Sequence, residues 1–276
     1  MPTESESTNR VRHILSLSGG KDSTALAIFM RDKVPDMEYV FCDTQKEMDE
    51  TYEYLDRIEA YLGRQIVRLN AKAGFDHWFK MLEGYLPSPQ QRWCTQMLKL
   101  KPFEEYIGDQ PVVSYIGIRA DEPNRGVISH KPNITTVYPF KDHGIDYRGV
   151  IKILEESGIS MPPYLAWGRT HSGCYFCFFQ KPIEWVRLLE RHPDKFDQAM
   201  AYETITDQQH GRTFTWIEGM PLSELKKPEN VARIKQRYEE RQRQLRGQRT
   251  NKTLVETLGG LEDFDEGPKA CLICHL

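Results

Sequence analysis

The residues best suited to chemistry begin with Ser18-Gly19-Gly20-Lys21-Asp22-Ser23, inside the segment LSLSGGKDSTAL. A short apolar run ends there and a helix-like one begins. Two adjacent glycines let the backbone turn tightly and bring N–H groups against an anion. A helix starting at this point adds its positive end. Ser18 and Ser23 contribute hydroxyls and Lys21 a point charge, a set sized for pyrophosphate. Asp22 would repel phosphate unless a cation intervened, and Mg²⁺ is the natural mediator. The run lacks the four-residue gap that precedes Gly-Lys-Ser/Thr in a Walker A loop, so a different phosphate chemistry is expected. Taken alone, the same residues would also serve as a turn followed by a helix cap.

The six cysteines stand at 42, 94, 174, 177, 271 and 274, and four of them form two Cys-x-x-Cys pairs. That spacing points to metal or redox chemistry before structural disulfides. A tetrahedral zinc site of Cys174, Cys177, Cys271 and Cys274 is one arrangement it permits, and unliganded redox thiols are another. Cys42 lies within an apolar run and reads as packing.

The elements that must position these groups alternate. His13–Leu17, Tyr39–Cys42, Ile66–Leu69 and Val112–Ile118 are strand-like; Asp22–Met30, Glu50–Leu62 and Phe75–Leu82 are helix-like. Strands separated by helices of this length imply right-handed crossovers and a parallel sheet covered on both faces. Ligands in such sheets sit beyond the carboxyl ends of the strands. Ser18–Ser23, Asp43-Thr44 and Arg119–Glu122 all fall at such ends, which turns an ordinary turn into one corner of a site. From Arg125 the pattern loosens: KPNITTVYPFKDHG reads as loop, followed by helices over Asp146–Ser157, from Pro182, and past Pro193-Asp194 to about Asp207. Two regions are expected, a nucleotide-binding α/β domain over 1–140 and a helical, cysteine-rich region over 141–276 that completes the site.

Composition is that of an ordinary globular chain: 276 residues, 39% hydrophobic and 28% charged, with a net charge of −3. No apolar run approaches the roughly 18 residues that span a bilayer, and MPTESESTNR has no apolar signal core. A cytoplasmic protein with no membrane partner is expected. Charge is uneven: Lys226 to Lys252 holds ten Lys/Arg against three Glu. Such a run reflects a solvated helix face more often than a polyanion site.

SGGKDS resembles the PP-loop of the ATP pyrophosphatases, which cleave ATP between its α and β phosphates. FCDTQKE, with Asp43 and Thr44, and GIRADEPNR, with Arg119, Asp121, Glu122 and Arg125, resemble the phosphoadenylyl-sulfate reductase branch. The resemblance implies an adenine-nucleotide α-hydrolase-like α/β fold, a parallel sheet sandwiched by helices, with a helical cysteine-containing C-terminal part. It implies that the loop holds the β and γ phosphates of ATP as a leaving unit while an acceptor oxygen attacks the α-phosphorus. Backbone N–H groups, Lys21 and Mg²⁺ would stabilise the departing pyrophosphate, with Asp22 beside them. Asp43 and Thr44 would lie beside the nucleotide. Arg119 and Arg125, near Asp121 and Glu122, would meet phosphate or an anionic co-substrate, the competing reading being a surface ion-pair network.

The iron–sulfur reductases of this branch carry a Cys-Cys pair about eighty residues before Cys-x-x-Cys; here Cys94 stands between Trp93 and Thr95. By that resemblance Cys94, Cys174 and Cys177 would hold a [4Fe–4S] cluster with an open iron, unless Cys271 or Cys274 closes it. Cys271 is expected as a ligand. Cys274, followed by His275, is expected as the mobile tail thiol that carries sulfur. RWCTQMLKLKPFEEYI and SGCYFCFF are more similar still to the sulfurtransferases of bacterial DNA phosphorothioation, the Dnd and Ssp systems. That similarity implies adenylylation of a DNA backbone phosphate and its exchange for sulfur. The partners would be ATP, DNA, a cysteine desulfurase and other phosphorothioation proteins, with the basic run 226–252 on the DNA. A phosphoadenylyl- or adenylyl-sulfate reductase and a tRNA thiolase are the alternatives within the family. A zinc-clamped ATP-binding accessory protein is the alternative outside enzymes.

Overall fold

Apolar runs of four to seven residues form the strands Arg12–Leu17 (β1), Met37–Asp43 (β2), Ile66–Asn70 (β3), Val112–Tyr115 (β4) and Ile134–Val137 (β5). The computed structural model describes residues 11–122, 131–210 and 214–250, without the side chains of 205–210 and 246–250. All five strands pair in parallel, in the order β3-β2-β1-β4-β5. Alternate residues of one strand serve opposite faces. Leu15, Leu17, Tyr39 and Phe41 pack into one apolar cluster, while Ile14, Val40 and Cys42 pack into another. Because both faces are covered, the central strands read as continuous apolar runs.

The helices are Lys21–Met30 (α1), Asp49–Leu62 (α2), Phe75–Met81 (α3), Trp93–Thr95 (α4), Lys101–Ile107 (α5), Pro139–Asp142 (α6) and Tyr147–Ser157 (α7). Pro182–Arg191 (α8), Pro193–His210 (α9), Leu222–Leu225 (α10) and Pro228–Thr250 (α11) follow. Residues of α1, α2 and α7 cover the Leu15 face, and Phe103 and Ile107 of α5 cover the Ile14 face. Asp146 caps α7 by accepting from the Gly149 amide at 2.9 Å. A third cluster, built on Trp185, Phe196 and Trp216, joins α8 and α9 to Phe75 and Phe79 of α3.

Two segments differ from expectation. The strand expected over 112–118 leaves the ladder after Tyr115, where the Ile118 amide bonds the Ile116 carbonyl at 3.0 Å and turns the chain out of the sheet. The expected loop KPNITTVYPFKDHG contains β5 and α6. Ile134-Thr-Thr-Val137 is β-branched enough for a strand, but an edge strand of four half-buried residues shows no clear periodicity. Trp93 to Ile107 is helical, with a π-type turn over Gln96–Leu100 between α4 and α5. The basic run does form a helix, α11. It lies on α8 through the buried Ile234, a Lys235–Glu190 pair, and Arg187 placed 4.9 Å from the Tyr238 ring centre. Among the described residues no helix is long and apolar enough to cross a membrane.

Glu203 of α9 ties the following segment down. It is 4% exposed, and its two oxygens accept from the Trp216 amide at 2.8 Å and the Leu222 amide at 2.7 Å. Burial outweighs those bonds and raises its pKa from an ordinary 4.5 to about 6. A carboxyl raised on folding stabilises the fold fully below its unfolded pKa and loses that contribution as pH rises through the folded one. Unfolding free energy should therefore fall by about 2 kcal/mol between about pH 4 and pH 7 from this group. Glu203→Gln should flatten that slope in urea titrations. It should also lower the plateau by about 1–3 kcal/mol, since an amide cannot accept both N–H groups equally.

Candidate active site

The chain runs from β1 to β2 and β3 on one side of the sheet, and from β4 to β5 on the other. Connections leaving β1 and β4 diverge, and the crevice between them is where such sheets take ligands. Ser18–Ser23 follows β1, Ile116–Glu122 follows β4, and Asp43–Glu47 closes the rim after β2.

Gly19 takes a φ of +67°, the left-handed region that glycine alone enters without strain. Ser23 organises the loop: its Oγ receives the Ser18 amide at 3.2 Å, lies 3.1 Å from Ser18 Oγ and donates to the Gly20 carbonyl at 3.2 Å. Thr24 Oγ1 donates to the same carbonyl at 2.8 Å. Gly20 is the N-cap of α1 and no side chain caps that helix, so its first-turn amides keep their affinity for an anion.

The charged residues gather beside this loop. Lys21 Nζ pairs with Asp22 Oδ2 at 2.9 Å, and Asp22 Oδ1 pairs with Arg119 Nη1 at 3.2 Å. Arg119 also pairs with Asp121 at 3.0 Å and Glu122 at 3.4 Å, and its amide donates to Glu122 at 3.1 Å. Tyr147, first residue of α7, presents its ring 5.6 Å from Lys21 Nζ and 5.5 Å from Arg119 Cζ. Arg119 was expected to meet phosphate; its side chain is 4% exposed and held by three carboxylates. These pairs tie Asp22 to the β4 loop. Carboxylate oxygens are the donors Mg²⁺ prefers, yet among the described residues no three His, Cys, Asp or Glu are placed to hold a metal ion. Asp43, at the end of β2, accepts from the Gln45 amide and from the Tyr52 hydroxyl, each at 2.7 Å. Gln45 itself adopts a left-handed φ of 61°, a strained conformation at the rim.

The Cys174–Cys177 segment docks onto this rim. Ser172 Oγ donates to Ser18 Oγ at 3.3 Å, and the Tyr175 amide bonds the Lys46 carbonyl at 2.9 Å. A Cβ on Gly20 would stand 3.0 Å from Ser172 Oγ, so any larger residue would make the serine hydroxyl give way. Phe176 anchors the segment, with its ring 4.5 Å from that of Phe75 and stacked 5.0 Å from that of Trp216. Cys174 Sγ lies 3.1 Å from Thr44 Oγ1 and 3.8 Å from Glu47 Oε1, and Thr44 Oγ1 donates to the same Glu47 oxygen at 2.9 Å. Burial, reinforced by Glu47, pushes the Cys174 thiol well above its ordinary value; burial likewise raises Glu47. The Cys177 amide bonds the Cys174 carbonyl at 3.0 Å, closing the Cys-x-x-Cys turn. Cys94 on α4 borders the same apolar cluster as Cys174. Arg125, Cys271 and Cys274 lie outside the described residues. Cys42 is buried, donates to the Lys99 carbonyl at 3.6 Å, and has its pKa raised to about 11 by burial.

Sequence reasoning missed Glu47, Tyr147, Arg169, His171 and Ser172. Their types were visible, but their contacts with the site appear only in the folded chain, as when Ser172 reaches Ser18 and Glu47 reaches Cys174. A model of the phosphoadenosine phosphosulfate reductase domain matches residues 12–177, more than half of the chain, from β1 through Cys177. The chain belongs to this family. An uncharacterized protein of Methanocaldococcus jannaschii is 34% identical over 113 residues, 40% of this chain and 23% of that protein. An adenosine 5'-phosphosulfate reductase of Staphylococcus haemolyticus is 29% identical over 115 residues, 40% of this chain and 45% of that protein. The chain thus spans 23% to 45% of the length of these curated relatives. The crystal structure of a phosphoadenylyl-sulfate reductase from Candida auris, a phosphate complex, aligns at a TM-score of 0.49 and 15% identity. That alignment covers 60% of this chain and 82% of that one.

In this family member the Arg119 cluster is a buried ion network whose loss leaves carboxylates unpaired. Arg119→Ala should lower unfolding free energy by about 3–5 kcal/mol in urea melts. Adding Asp121→Asn to that variant should restore part of the loss; a change under about 1 kcal/mol for the single variant would contradict the burial argument.

Proposed function

We propose that this family member is an ATP pyrophosphatase that adenylylates a backbone phosphate oxygen of DNA and exchanges that oxygen for sulfur. The observation that carries the reading is the contact of Ser172 with Ser18 at 3.3 Å, which seats the Cys174–Cys177 turn directly on the phosphate-type loop. A zinc clamp in an accessory protein has no need of that closeness. A sulfur donor must reach the very atom that the nucleotide activates.

In the proposed sequence, first-turn amides of α1 and the Lys21 ammonium hold the β and γ phosphates, with Mg²⁺ offsetting the repulsion of Asp22. The acceptor oxygen attacks the α-phosphorus and pyrophosphate leaves. Preorganised donors aimed at the departing charge supply most of the acceleration. A persulfide sulfur derived from a cysteine desulfurase then displaces AMP from the activated phosphorus. A second thiol cleaves the S–S bond, leaving the new P–S group and a disulfide that an added thiol reductant reopens. Cys174, against Thr44, is the carrier this placement favours, and Cys177 the thiol that resolves it. An iron–sulfur cluster completed from the tail cysteines would supply an alternative sulfide store, which this sequence of steps does not require. The exposed Lys226, Lys227, Arg233, Arg237, Arg241 and Arg243 flank or line α11 and suit DNA phosphates.

A second reading, reduction of adenylyl sulfate, is favoured by the likeness to the Staphylococcus haemolyticus reductase. The substrates separate the two. Under anaerobic conditions with cysteine, a desulfurase and duplex DNA, the wild type should convert ATP to AMP and pyrophosphate and place sulfur in DNA. Lys21→Ala should slow pyrophosphate release by about a hundredfold. Cys174→Ser should leave pyrophosphate release within about threefold while abolishing sulfur incorporation, because the thiol acts after the nucleotide step. Release of AMP and sulfite from adenylyl sulfate, with ATP untouched, would replace the first reading by the second. ATP binding with no AMP from either substrate would remove both.

A further inference from the structure

Arg169 is 1% exposed, in the turn that leads into the Ser172–Cys177 segment. Its Nη2 donates to the Cys174 carbonyl at 2.6 Å. Its Nε is buried and has no hydrogen-bond partner among the described residues. No described carboxylate lies within ion-pair distance, although Glu47 and Glu184 are near enough to feel its charge. Glu184 is already committed, accepting from Thr170 N at 2.7 Å, Thr170 Oγ1 at 2.9 Å and Lys181 N at 2.8 Å. A guanidinium keeps its charge wherever it is placed. A buried one with an idle donor and no counter-ion is costly, and structure alone gives no return for it.

One further observation points the same way. His171 lies 3.4 Å from Thr170 Oγ1 and 4.0 Å from Glu184 through Nδ1, while its Nε2 is buried without a partner among the described residues. Lys99 acts on both Cys174 and Glu47, and Lys21 and Lys181 act with Arg169 on His171. The charges converging here are thus Lys21, Lys99, Arg169 and Lys181 against Glu47, Glu184, Asp22 and Asp43, four of each sign. The imbalance is local: no described carboxylate stands at ion-pair distance from Arg169.

We propose that Arg169 is the anchor of an anion subsite beside Cys174, which takes a tetrahedral oxyanion of the sulfur acceptor, a phosphodiester or a sulfate. The proposal rests on the sulfur-transfer reading of the site, since it gives the acceptor a place next to the thiol. One guanidinium edge holds the Cys174 carbonyl, and the remaining donors are left for the oxyanion in the planar geometry that suits it. Burial and Arg169 lower His171 to about 4; an oxyanion nearby would draw a proton onto Nε2 and recruit it as a second donor.

The test uses the full chain with Mg²⁺ and α,β-methylene-ATP, titrated by calorimetry with dimethyl phosphate in one arm and inorganic sulfate in the other. The wild type should bind at least one probe. Arg169→Gln should weaken that probe by about tenfold or more while the nucleotide affinity stays within about threefold. Arg169→Lys, which keeps the charge but not the fork, should fall between them, and it decides the matter by the same ratio if the Gln variant does not fold. Tighter binding of dimethyl phosphate identifies a phosphodiester acceptor and tighter binding of sulfate a sulfated one; either supports the subsite. Probe affinity unchanged in both variants, or no binding of either probe to the wild type, overturns it. Failure of the wild type to bind α,β-methylene-ATP would count against the nucleotide reading and leave the anion titration to decide the subsite independently.

Discussion

Everything at the mouth of this sheet depends on how closely two backbone segments can approach. The turn after β1 and the turn carrying Cys174 meet through Ser18 and Ser172, with Gly20 between them. A methyl group at Gly20 would press on the Ser172 hydroxyl at 3.0 Å and on that of Ser18 at 3.2 Å, so a side chain there would push the joint apart by a few tenths of an ångström. The same glycine leaves the first turn of α1 open as an anion site. Steric permission and electrostatic attraction come from a single residue. The spacing between the Ser18 loop and the turn that carries Cys174 follows from it.

Two buried arginines around this joint show opposite states of charge balance. Arg119 is surrounded by Asp22, Asp121 and Glu122, and its strength is spent within the protein. Arg169 donates to the Cys174 carbonyl, lies over the Trp167 ring and keeps one donor idle among the described residues. The first behaves as a structural pin that orients Asp22 toward the loop. The second behaves as a site, because folding leaves its charge unanswered. A sequence carries no mark that separates two such arginines. The difference lies in which carboxylates the fold brings near, and those come from residues up to 97 positions away.

Much of the architecture could be read in advance because buried parallel strands and amphipathic helices write strong periodic patterns. β1, β2 and β3 fall where the apolar runs HILSL, YVFC and IVRL placed them, and SGGKDS sits at a strand end as expected. β5 was hidden because four edge residues with mixed burial leave no period to detect. Arg119 was legible as a site residue but not as a saturated one. Glu47 and Arg169 were invisible as site residues, since their significance comes from Cys174, which lies 127 residues from the first and 5 from the second. Tyr147 shows the same limit: an aromatic at a helix start reads as packing until two cations are found over its ring.

The left-handed backbone at Gln45 has a consequence for anyone seeking a hardier variant. A non-glycine residue at a φ of 61° holds strain that glycine would release, so selection for heat tolerance alone would favour replacing it. Yet its amide grips Asp43 and its neighbour Lys46 holds Tyr175, which couples that strain to both the nucleotide rim and the thiol turn. Robustness gained at this hinge would come out of the shape of the mouth, making position 45 a place where durability and turnover trade against each other.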